Sequence, residues 1–562
     1  MMQSMQRFGL GLSGFRIPRF APRPFVLVAA CGLLCGIDGA LAASRFVNPA
    51  NPAAVDAGQG TAAQPWRTIG FAMSQLQPGD RLQIAAGTYR EALLFPEWPT
   101  ALGTLNTVIE GQGKVLIKGS VVVDSWMPAG NGRFVTPWPK ETAQVFIDGV
   151  ALQQIGGRIL AGVPTAKQWA GRVAGDQDSM PLNSFYFQDQ AAGGRLYLRT
   201  ALPTLAGHTV EVSTLAHAVI GKKLANVTLR NLEFMHGNTS NTDRNGLVLM
   251  DGNKLWLDRI KVSQTDTIGI EMDGDDNKLT DSSSNDNGQL GLKARGNRVQ
   301  ISRTETSRNN LRRFLKWNES GGAKFVGAQG LRNSVLRDHK AIGNFGDGVW
   351  FDWGNHNNRI ERGTFAFNTG FGIHYEASRG AVIVDNVAVG NGQRGIYLPH
   401  SSDSVIAFNL VAGNQLQGIA IVDEGARDAS GVLNLQPLGN KVFGNLVASN
   451  KGALVLPFDL QTNRANWNAY FGTGADTNWS LGWGLTIHTL PEWVAKSAQD
   501  GASSYTPQAT DPGAAGAAGQ NPSPYLSWAR GWRTAAPALA VDPAWLRLLP
   551  GGRTDTRAGP AL

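Results

Sequence analysis

A short pattern of apolar and polar residues recurs through the middle of the chain. Each copy starts with glycine and then alternates apolar and variable residues, which predicts a short β-strand with one buried side. The copies begin at Gly246, Gly269, Gly291, Gly322, Gly348, Gly372, Gly395 and Gly418. Their spacings are 23, 22, 31, 26, 24, 23 and 23 residues. Because so short a period leaves little room for helices, the pattern predicts stacked strands.

Asparagines recur in phase with these strands. Asn344, Asn368, Asn391 and Asn414 are spaced by 24, 23 and 23 residues. The repeat predicts an all-β fold, a right-handed parallel β-helix in which each repeat forms one coil and equivalent side chains of neighbouring coils lie about 4.8 Å apart. In the turns, asparagines can hydrogen-bond one another from coil to coil, and the glycines can adopt positive φ.

The register of each repeat indicates which side chains face outward. Counting the glycine as position zero, positions one and three are apolar in every copy and are expected to face the interior. Position three holds Leu249, Met272, Ala294, Phe325, Phe351, Tyr375, Leu398 and Ile421. Outward position two holds Val248, Glu271, Lys293, Lys324, Trp350, His374, Tyr397 and Ala420. Outward position four holds Met250, Asp273, Arg295, Val326, Asp352, Glu376, Pro399 and Val422.

Two acidic residues, Asp352 and Glu376, occupy position four of consecutive coils. Their carboxyl groups are therefore expected to lie about 5 Å apart, the separation of about 5–5.5 Å that retaining glycosidases use, whereas inverting enzymes need about 6.5–9.5 Å. Two close carboxyl groups also raise the pKa of one of them, as a general acid requires. The alternatives are a surface pair held apart by a basic side chain, or a Ca²⁺ site.

The other outward side chains indicate how a substrate is held. Trp350 and Tyr397 are suited to stack on the apolar faces of sugar rings, and His374 is suited to hydrogen-bond a sugar hydroxyl. The remaining charged residues can bind substrate or can be solvated partners of one another: Glu271, Asp273, Lys293, Arg295 and Lys324.

Two of these segments carry a family resemblance. Gly348-Val-Trp-Phe-Asp-Trp-Gly-Asn, together with Gly372-Ile-His-Tyr-Glu and the Val384-Asp-Asn that follows, resembles the β-helical β-xylosidase family of glycoside hydrolases. The resemblance implies a pectate-lyase-like solenoid, with Asp352 as the nucleophile and Glu376 as the acid/base. The chain departs from the family in its Lys293, Arg295 and Lys324 cluster and in an inserted charged segment at 312–319, so the sugar stays open.

The N-terminal 42 residues have the pattern of a secretory signal peptide. Four arginines and no acidic residue precede a short apolar run at 25–37, and Ala40-Leu41-Ala42 forms a small-residue cleavage pattern. The prediction is export to the periplasm or the extracellular space. The chain has 2 cysteines, Cys31 and Cys35, and both fall in this segment, which excludes a disulfide scaffold.

Breaks in the repeat divide the rest of the chain. Residues 43–140 are expected to form the N-terminal cap and first coils, 141–215 a β-rich insertion, and 216–475 the coils that carry the outward groups. Residues 476–562 are expected to close the solenoid and to end in a loose tail. No apolar run is long enough to span a membrane.

Three functions fit these features. The first is a secreted retaining glycosidase that acts on a polysaccharide or oligosaccharide without a cofactor. The second is a lyase acting on a uronate polymer, which needs a Lys or Arg base and Ca²⁺ or another cation. The third is a non-catalytic glycan-binding β-helix. A net charge of +8 without a nucleic-acid-binding motif does not indicate a nucleic acid partner. The oligomeric state stays open.

Overall fold

The computed structural model describes most of the chain after the predicted signal peptide. The described residues are 43–98, 105–157, 169–190, 193–239, 246–315, 319–326, 330–424, 436–457, 460, 462–472, 478–482 and 484–561. The predicted signal peptide at 1–42, with both cysteines, lies outside them. No helix in the described residues is long and apolar enough to cross a membrane.

The chain folds as a right-handed parallel β-helix, and the described residues form three sheets along its axis. The first sheet, in the described residues, contains the strands Ser44–Val47, Arg81–Tyr89, Thr107–Lys118, Val227–Met235, Trp256–Ser263, Lys278–Thr280, Ser283–Asn285, Gln300–Ser302, Val335–Arg337, Arg359–Glu361, Val382–Val384, Val405–Ala407, Lys441–Phe443 and Arg464–Asn466.

The second sheet carries the outward groups and is called the site sheet below. It contains Leu93–Leu94, Val219–Ala225, Gly246–Asn253, Ile268–Asp273, Leu290–Asn297, Gly321–Phe325, Leu331–Arg332, Asp347–Asp352, Ile373–Glu376, Ile396–Pro399, Gln417–Val422, Gly452–Leu456, Trp479–Leu481 and Leu485–Ile487. The third sheet contains Lys340–Ile342, Thr364–Ala366, Val387–Val389, Leu410–Ala412, Leu446–Ala448, Ala469–Gly472 and Ser504–Pro507.

Two small sheets, paired mainly antiparallel, form the insertion. One contains Gln153–Gln154, Ser184–Gln188, Arg195–Arg199, Arg133–Pro137 and Met127–Pro128, and the other contains Ser120–Val122, Val210–Ser213, Val145–Ile147 and Val150–Ala151. The insertion therefore starts near residue 120 and not at 141, because Ser120–Val122 pairs with Val210–Ser213.

Short helices cap the solenoid and cover one side of it: Ile69–Gln75, Leu490–Ser497, Ala514–Ala517, Ser523–Ala535 and Pro543–Leu546. Tyr525 and Ala529 of the fourth helix pack with Leu446 of the third sheet, and Ala558 joins the same cluster. Near the end of the chain, the Ala561 amide donates to Asp385 at 3.1 Å. The expected loose tail is thus wrong, since apolar residues up to position 558 bury surface against the coils.

The register of the coils matches the prediction from Gly269 to Gly418. Positions one and three of these repeats belong to the main core. Val349 and Phe351, for example, pair with Ile373 and Tyr375 of the next coil. Positions two and four consequently face outward, as alternation requires.

In the first repeat, the inward and outward positions are shifted by one residue relative to the prediction. Leu249 pairs with Glu271 on the outward row, while Val248 and Met250 belong to the main core. The predicted orientations of these three side chains were therefore wrong. Every residue from 247 to 250 is apolar, so the pattern there held no information about which side faces inward.

A ladder of buried asparagines joins successive turns. The side-chain amide of Asn344 donates to Asn368 Oδ1 at 2.8 Å, that of Asn368 to Asn391 at 3.0 Å, and that of Asn391 to Asn414 at 2.9 Å. The predicted coil-to-coil bonds are thus confirmed. Each amide also donates to a backbone carbonyl, such as that of Phe365 for Asn391, so the ladder satisfies backbone groups that the turn leaves unpaired.

The repeat glycines make room for this ladder. A Cβ on Gly372 would lie 2.8 Å from Asn391 Nδ2 and 2.6 Å from the Gly395 carbonyl oxygen, and one on Gly348 would lie 2.9 Å from Asn368 Nδ2. Glycines in the turns, such as Gly343, Gly390 and Gly413 directly before ladder asparagines, adopt positive φ as predicted, whereas the glycines that start the repeats do not. The latter are needed because asparagine and backbone atoms approach too closely for a side chain.

Replacing Asn391 by alanine should destabilise the protein by about 2–4 kcal/mol, because it removes the donor to the Phe365 carbonyl and the acceptor of the Asn368 backbone and side-chain N–H groups. A lower denaturant midpoint, measured by intrinsic fluorescence, would show this loss. Gln300→Ala, an exposed strand position, is the control and should change the midpoint little. An equal effect of the two substitutions would show that the ladder does not stabilise the stack.

Candidate functional site

One row of the site sheet carries a continuous band of polar and aromatic groups. Lys293, Lys324, Trp350, His374 and Tyr397 occupy the same register position on five consecutive strands. Neighbouring strands are about 4.8 Å apart, and the side chains from Lys324 to Tyr397 contact one another in turn. The structure therefore brings together five of the eight residues that the repeat placed at position two.

Asp352 and Glu376 lie beside this row, paired with each other in register on adjacent strands. Lys324 Nζ lies 3.1 Å from Asp352 Oδ2, and the Trp350 indole N–H donates to Glu376 Oε2 at 3.0 Å. Lys324 Nζ also lies 3.5 Å from the centre of the Trp350 ring. Lys324 and Trp350 thus link the two carboxyl groups, because Lys324 contacts Asp352 and the Trp350 ring, and Trp350 donates to Glu376.

The surroundings of these two carboxyl groups differ. The Asp352 side chain is 16% exposed and faces the ammonium group of Lys324. The Glu376 side chain is only 7% exposed and contacts the indole of Trp350 and the imidazole of His374. When one carboxyl group acts as a nucleophile and its neighbour as an acid, the two groups need different surroundings.

His374 joins Glu376 to a third carboxylate, that of Asp347. His374 Nδ1 lies 3.0 Å from Asp347 Oδ2, and Nε2 lies 3.4 Å from Glu376 Oε2. The ring is stacked on Trp350 with centroids 4.9 Å apart. We expected His374 to face a sugar hydroxyl, but both of its nitrogens are directed at carboxylates of the protein.

Trp350 and Tyr397 are not the exposed stacking platforms that we expected. They are 8% and 3% exposed, because the ring of Trp350 lies between Lys324 and His374 and the Tyr397 ring lies 5.2 Å from His374. The Tyr397 hydroxyl donates to Glu424, and burial raises the pKa of this phenol above its ordinary value. A role of these rings in sugar binding stays a prediction.

The charged residues of the preceding coils form ion pairs. Lys293 Nζ lies 2.9 Å from Glu319 Oε2, and the Arg295 guanidinium donates to Asp273 and lies 3.6 Å from Glu271. Lys293 is 2% exposed and Glu271 is fully buried. These contacts favour the interpretation of the cluster as mutual partners over that of substrate ligands.

Three residues of the site were missed because strict alternation placed the position before each repeat glycine inward. Asp347, Phe371 and Arg394 hold this position and face outward: Phe371 packs on Tyr397, and the Arg394 guanidinium lies 4.5 Å from the Tyr397 ring centre. Alternation is interrupted at the glycine. A charged residue directly before the glycine, as at Asp347 and Arg394, was the available signal.

The start of the inserted segment, residues 312–315, attaches the coils to the insertion. Phe314 forms a β-bridge with Trp169, and the Trp169 indole N–H donates to the Arg312 carbonyl at 2.8 Å. The Arg312 guanidinium lies over the Trp169 ring at 4.7 Å and lines a cavity of about 600 Å³ between insertion and coils. Burial lowers the pKa of Arg312 to about 10.

Metal ligation was one alternative interpretation of the acidic pair. Within the parts of the chain that the structure describes, no group of three or more His, Cys, Asp or Glu side chains is arranged to hold a metal ion.

Comparisons with known proteins agree with the fold. A family model described as the right-handed β-helix region matches residues 245–416. No curated protein matches the chain.

Similar solved structures include the complex of XylC with xylose, 14% identical, with a TM-score of 0.58, covering 84% of this chain and 86% of that one. The A-module of the mannuronan C-5 epimerase AlgE6 from Azotobacter vinelandii is 13% identical, with a TM-score of 0.44, covering 77% and 91%. The surface adhesin PfbA of Streptococcus pneumoniae is 9% identical, with a TM-score of 0.42, covering 75% and 89%. At these identities the likeness is one of fold.

Asp266, a fully buried residue near Arg312, is expected to make the stability of the protein depend on pH. It accepts a hydrogen bond from the Thr239 amide at 2.7 Å, and burial raises its pKa to about 6. Because the folded protein then holds this proton more tightly than the unfolded chain, the stability that it contributes is present below about pH 4 and is lost as the pH rises through about 6.

Asp266→Asn removes this titration. The free energy of unfolding of the variant, relative to that of the wild type, should therefore increase between about pH 4 and pH 7. Denaturant midpoints of both proteins at the two pH values measure the difference, and other groups titrate equally in both. A difference that does not change with pH would contradict the prediction.

Proposed function

We propose that the protein is a glycoside hydrolase that cleaves a polysaccharide or oligosaccharide by a retaining mechanism, with Asp352 as the nucleophile and Glu376 as the acid/base. One observation carries the proposal: the two residues are paired in register on adjacent strands. One strand spacing, about 4.8 Å, is close to the carboxyl separation of about 5–5.5 Å in retaining enzymes.

The contacts of the two side chains support separate roles. The Asp352 carboxylate, paired with Lys324, attacks the anomeric carbon and forms a glycosyl–enzyme ester. Glu376 gives its proton to the leaving oxygen and then takes one from the water that hydrolyses the ester. Burial of Glu376 among Trp350 and His374 restricts its side chain, which positions the proton that it transfers.

The ion pairs on the site sheet support hydrolysis over β-elimination. A lyase needs a Lys or Arg able to accept a proton, and a cation able to bind a uronate carboxylate. Here Lys324 faces Asp352, Lys293 faces Glu319, and Arg295 contacts Asp273. The carboxylates beside these cations offset the attraction of the cations for a uronate carboxylate.

Neutral sugars are therefore the first substrates to test. XylC was solved with xylose, so aryl β-xylosides and xylo-oligosaccharides start the series, followed by other neutral glycosides and uronate polymers.

The two-carboxylate mechanism needs no cofactor. The predicted signal peptide would place the enzyme outside the inner membrane, in contact with such glycans.

On a substrate that the wild type cleaves, Asp352→Asn and Glu376→Gln should each lower kcat/KM by at least about 100-fold, because the first removes the nucleophile and the second the acid. Glu376→Gln should lose less on an aryl glycoside with an acidic leaving group, which needs little protonation. Asp338→Asn, which alters an exposed pair with Arg362, is the control and should keep full activity.

Product analysis separates the proposed function from its alternatives. NMR of the first product should show the anomer of the substrate. An inverted anomer would refute the retaining mechanism, and unsaturated products absorbing in the ultraviolet would indicate a lyase. Binding of glycan without turnover would indicate the non-catalytic alternative.

A further inference from the structure

A groove of about 790 Å³ lies on the outer side of the first sheet. It is called the first-sheet groove below. Trp256, Lys278 and Gln300, which pair in register on three adjacent strands, line it. Its volume falls within the range of about 300–1,000 Å³ that is typical of ligand sites. Asp352 and Glu376 belong to the site sheet, so this groove is separate from the proposed active site.

Trp256 presents a fixed aromatic surface to solvent in this groove. The residue is 36% exposed, whereas Trp350 on the site sheet is 8% exposed. The Trp256 indole N–H donates to Thr280 Oγ1 at 2.8 Å, and the Arg230 guanidinium lies over the ring, 4.9 Å from its centre. Because these contacts already restrict the ring, it loses little conformational freedom when a ligand packs on it.

A buried carboxylate orients both groups that hold the indole. Asp258 is 3% exposed. It accepts hydrogen bonds from the Thr280 hydroxyl at 2.9 Å and from Arg230 Nε at 3.1 Å, and it also contacts the Arg259 guanidinium at 3.0 Å. The orientation of the exposed ring is therefore set by a network that is anchored inside the sheet.

The first-sheet groove carries a surplus of positive charge. Among the described residues that line it, Lys254, Lys278 and Arg298 are basic and Asp276 is acidic. The Arg298 guanidinium donates to both Asp276 oxygens, at 2.6 and 2.7 Å, so these two charges offset each other and the two lysines remain. A partly enclosed surface with charge of one sign attracts ligands of the opposite sign.

We propose that the first-sheet groove binds a polysaccharide that carries carboxylate groups, such as uronate units, with Trp256 against a sugar ring and Lys278 against its carboxylate. The inference goes beyond the proposed function and does not depend on it. A chain held in this groove stays attached to the protein, which raises the local concentration of its other segments at the site sheet.

The spacing of the groups supports this ligand. The apolar C–H face of a sugar ring packs on an indole. Lys278 pairs in register with Trp256, one strand spacing or about 4.8 Å away, so its ammonium group can form a charge-assisted hydrogen bond with a carboxylate on the stacked ring. The exposed amides of Gln300 and Asn333 are suited to sugar hydroxyls. Because these groups continue from coil to coil, they suit an extended chain.

Isothermal titration calorimetry with soluble glucuronoxylan and polygalacturonate tests the proposal. Each polymer is also titrated after its carboxyl groups have been reduced to alcohols, which keeps the chain and removes the charge. The protein carries Asp352→Asn, so that the proposed turnover does not shorten the polymer. At least one of the two acidic polymers should bind, and its reduced form should bind more weakly.

Substitutions in the groove should weaken this binding. Trp256→Ala should raise Kd at least about fivefold, because it removes the aromatic surface, and Trp256→Tyr should lose less. Lys278→Gln should raise Kd about two- to fivefold, and this difference should shrink at high salt. Lys340→Gln, at an exposed strand position of the third sheet, removes the same charge elsewhere and should leave Kd unchanged.

Several results would overturn the proposal. These are a wild-type groove that binds neither acidic polymer, an unchanged Kd in Trp256→Ala, equal binding of the reduced polymer, or an equal loss in Lys340→Gln and Lys278→Gln. Tighter binding of single-stranded DNA than of either polymer would overturn the assignment to a glycan. If Trp256→Ala does not fold, Lys278→Gln decides, because its side chain is exposed.

The outcomes separate this site from the proposed function. Groove-dependent binding without turnover of any glycan would leave the site intact and count against the hydrolase. Turnover of a glycan with no effect of Trp256→Ala or Lys278→Gln on polymer binding would overturn the site and leave the hydrolase intact.

Discussion

In-register pairing between successive coils is the constraint on which the rest of the structure depends. Backbone bonds set the strand spacing, and the asparagine ladder extends the pairing into the turns. The glycine that starts each repeat leaves the space that this ladder requires, because a Cβ on Gly372 would lie only 2.8 Å from Asn391 Nδ2. A chemical group placed on one coil therefore has a definite neighbour on the next, which is how a site arises on an extended surface.

Burial of charged and polar side chains on the site sheet costs free energy, and contacts between these side chains offset it. Lys293, Glu271 and His374 are almost fully buried on the outward row, where a polar group without a partner would be expensive. The ion pairs and the Asp347–His374–Glu376 chain place a partner beside each charge. Such a network leaves its members little rotational freedom, and this rigidity is what positioning of catalytic groups requires.

The segments outside the repeat complete the solenoid. Phe314 docks the start of the inserted segment on Trp169 of the insertion, and the Arg312 guanidinium packs on the same ring. The C-terminal helices cover apolar side chains of the third sheet, where Tyr525 packs near Leu446. Covering these surfaces removes apolar area from water and shields strands that would otherwise be exposed.

The sequence by itself determined the coil, its register from Gly269 onward, and the pairing of Asp352 with Glu376, because periodicity repeats one local rule in every turn. It could not decide the orientation of an all-apolar stretch such as the one containing Leu249, nor the outward side of Asp347, where alternation stops. Only the tertiary structure showed that Trp350 and Tyr397 are covered. Burial of an outward side chain depends on neighbours from other coils, and their packing is not encoded in any single repeat.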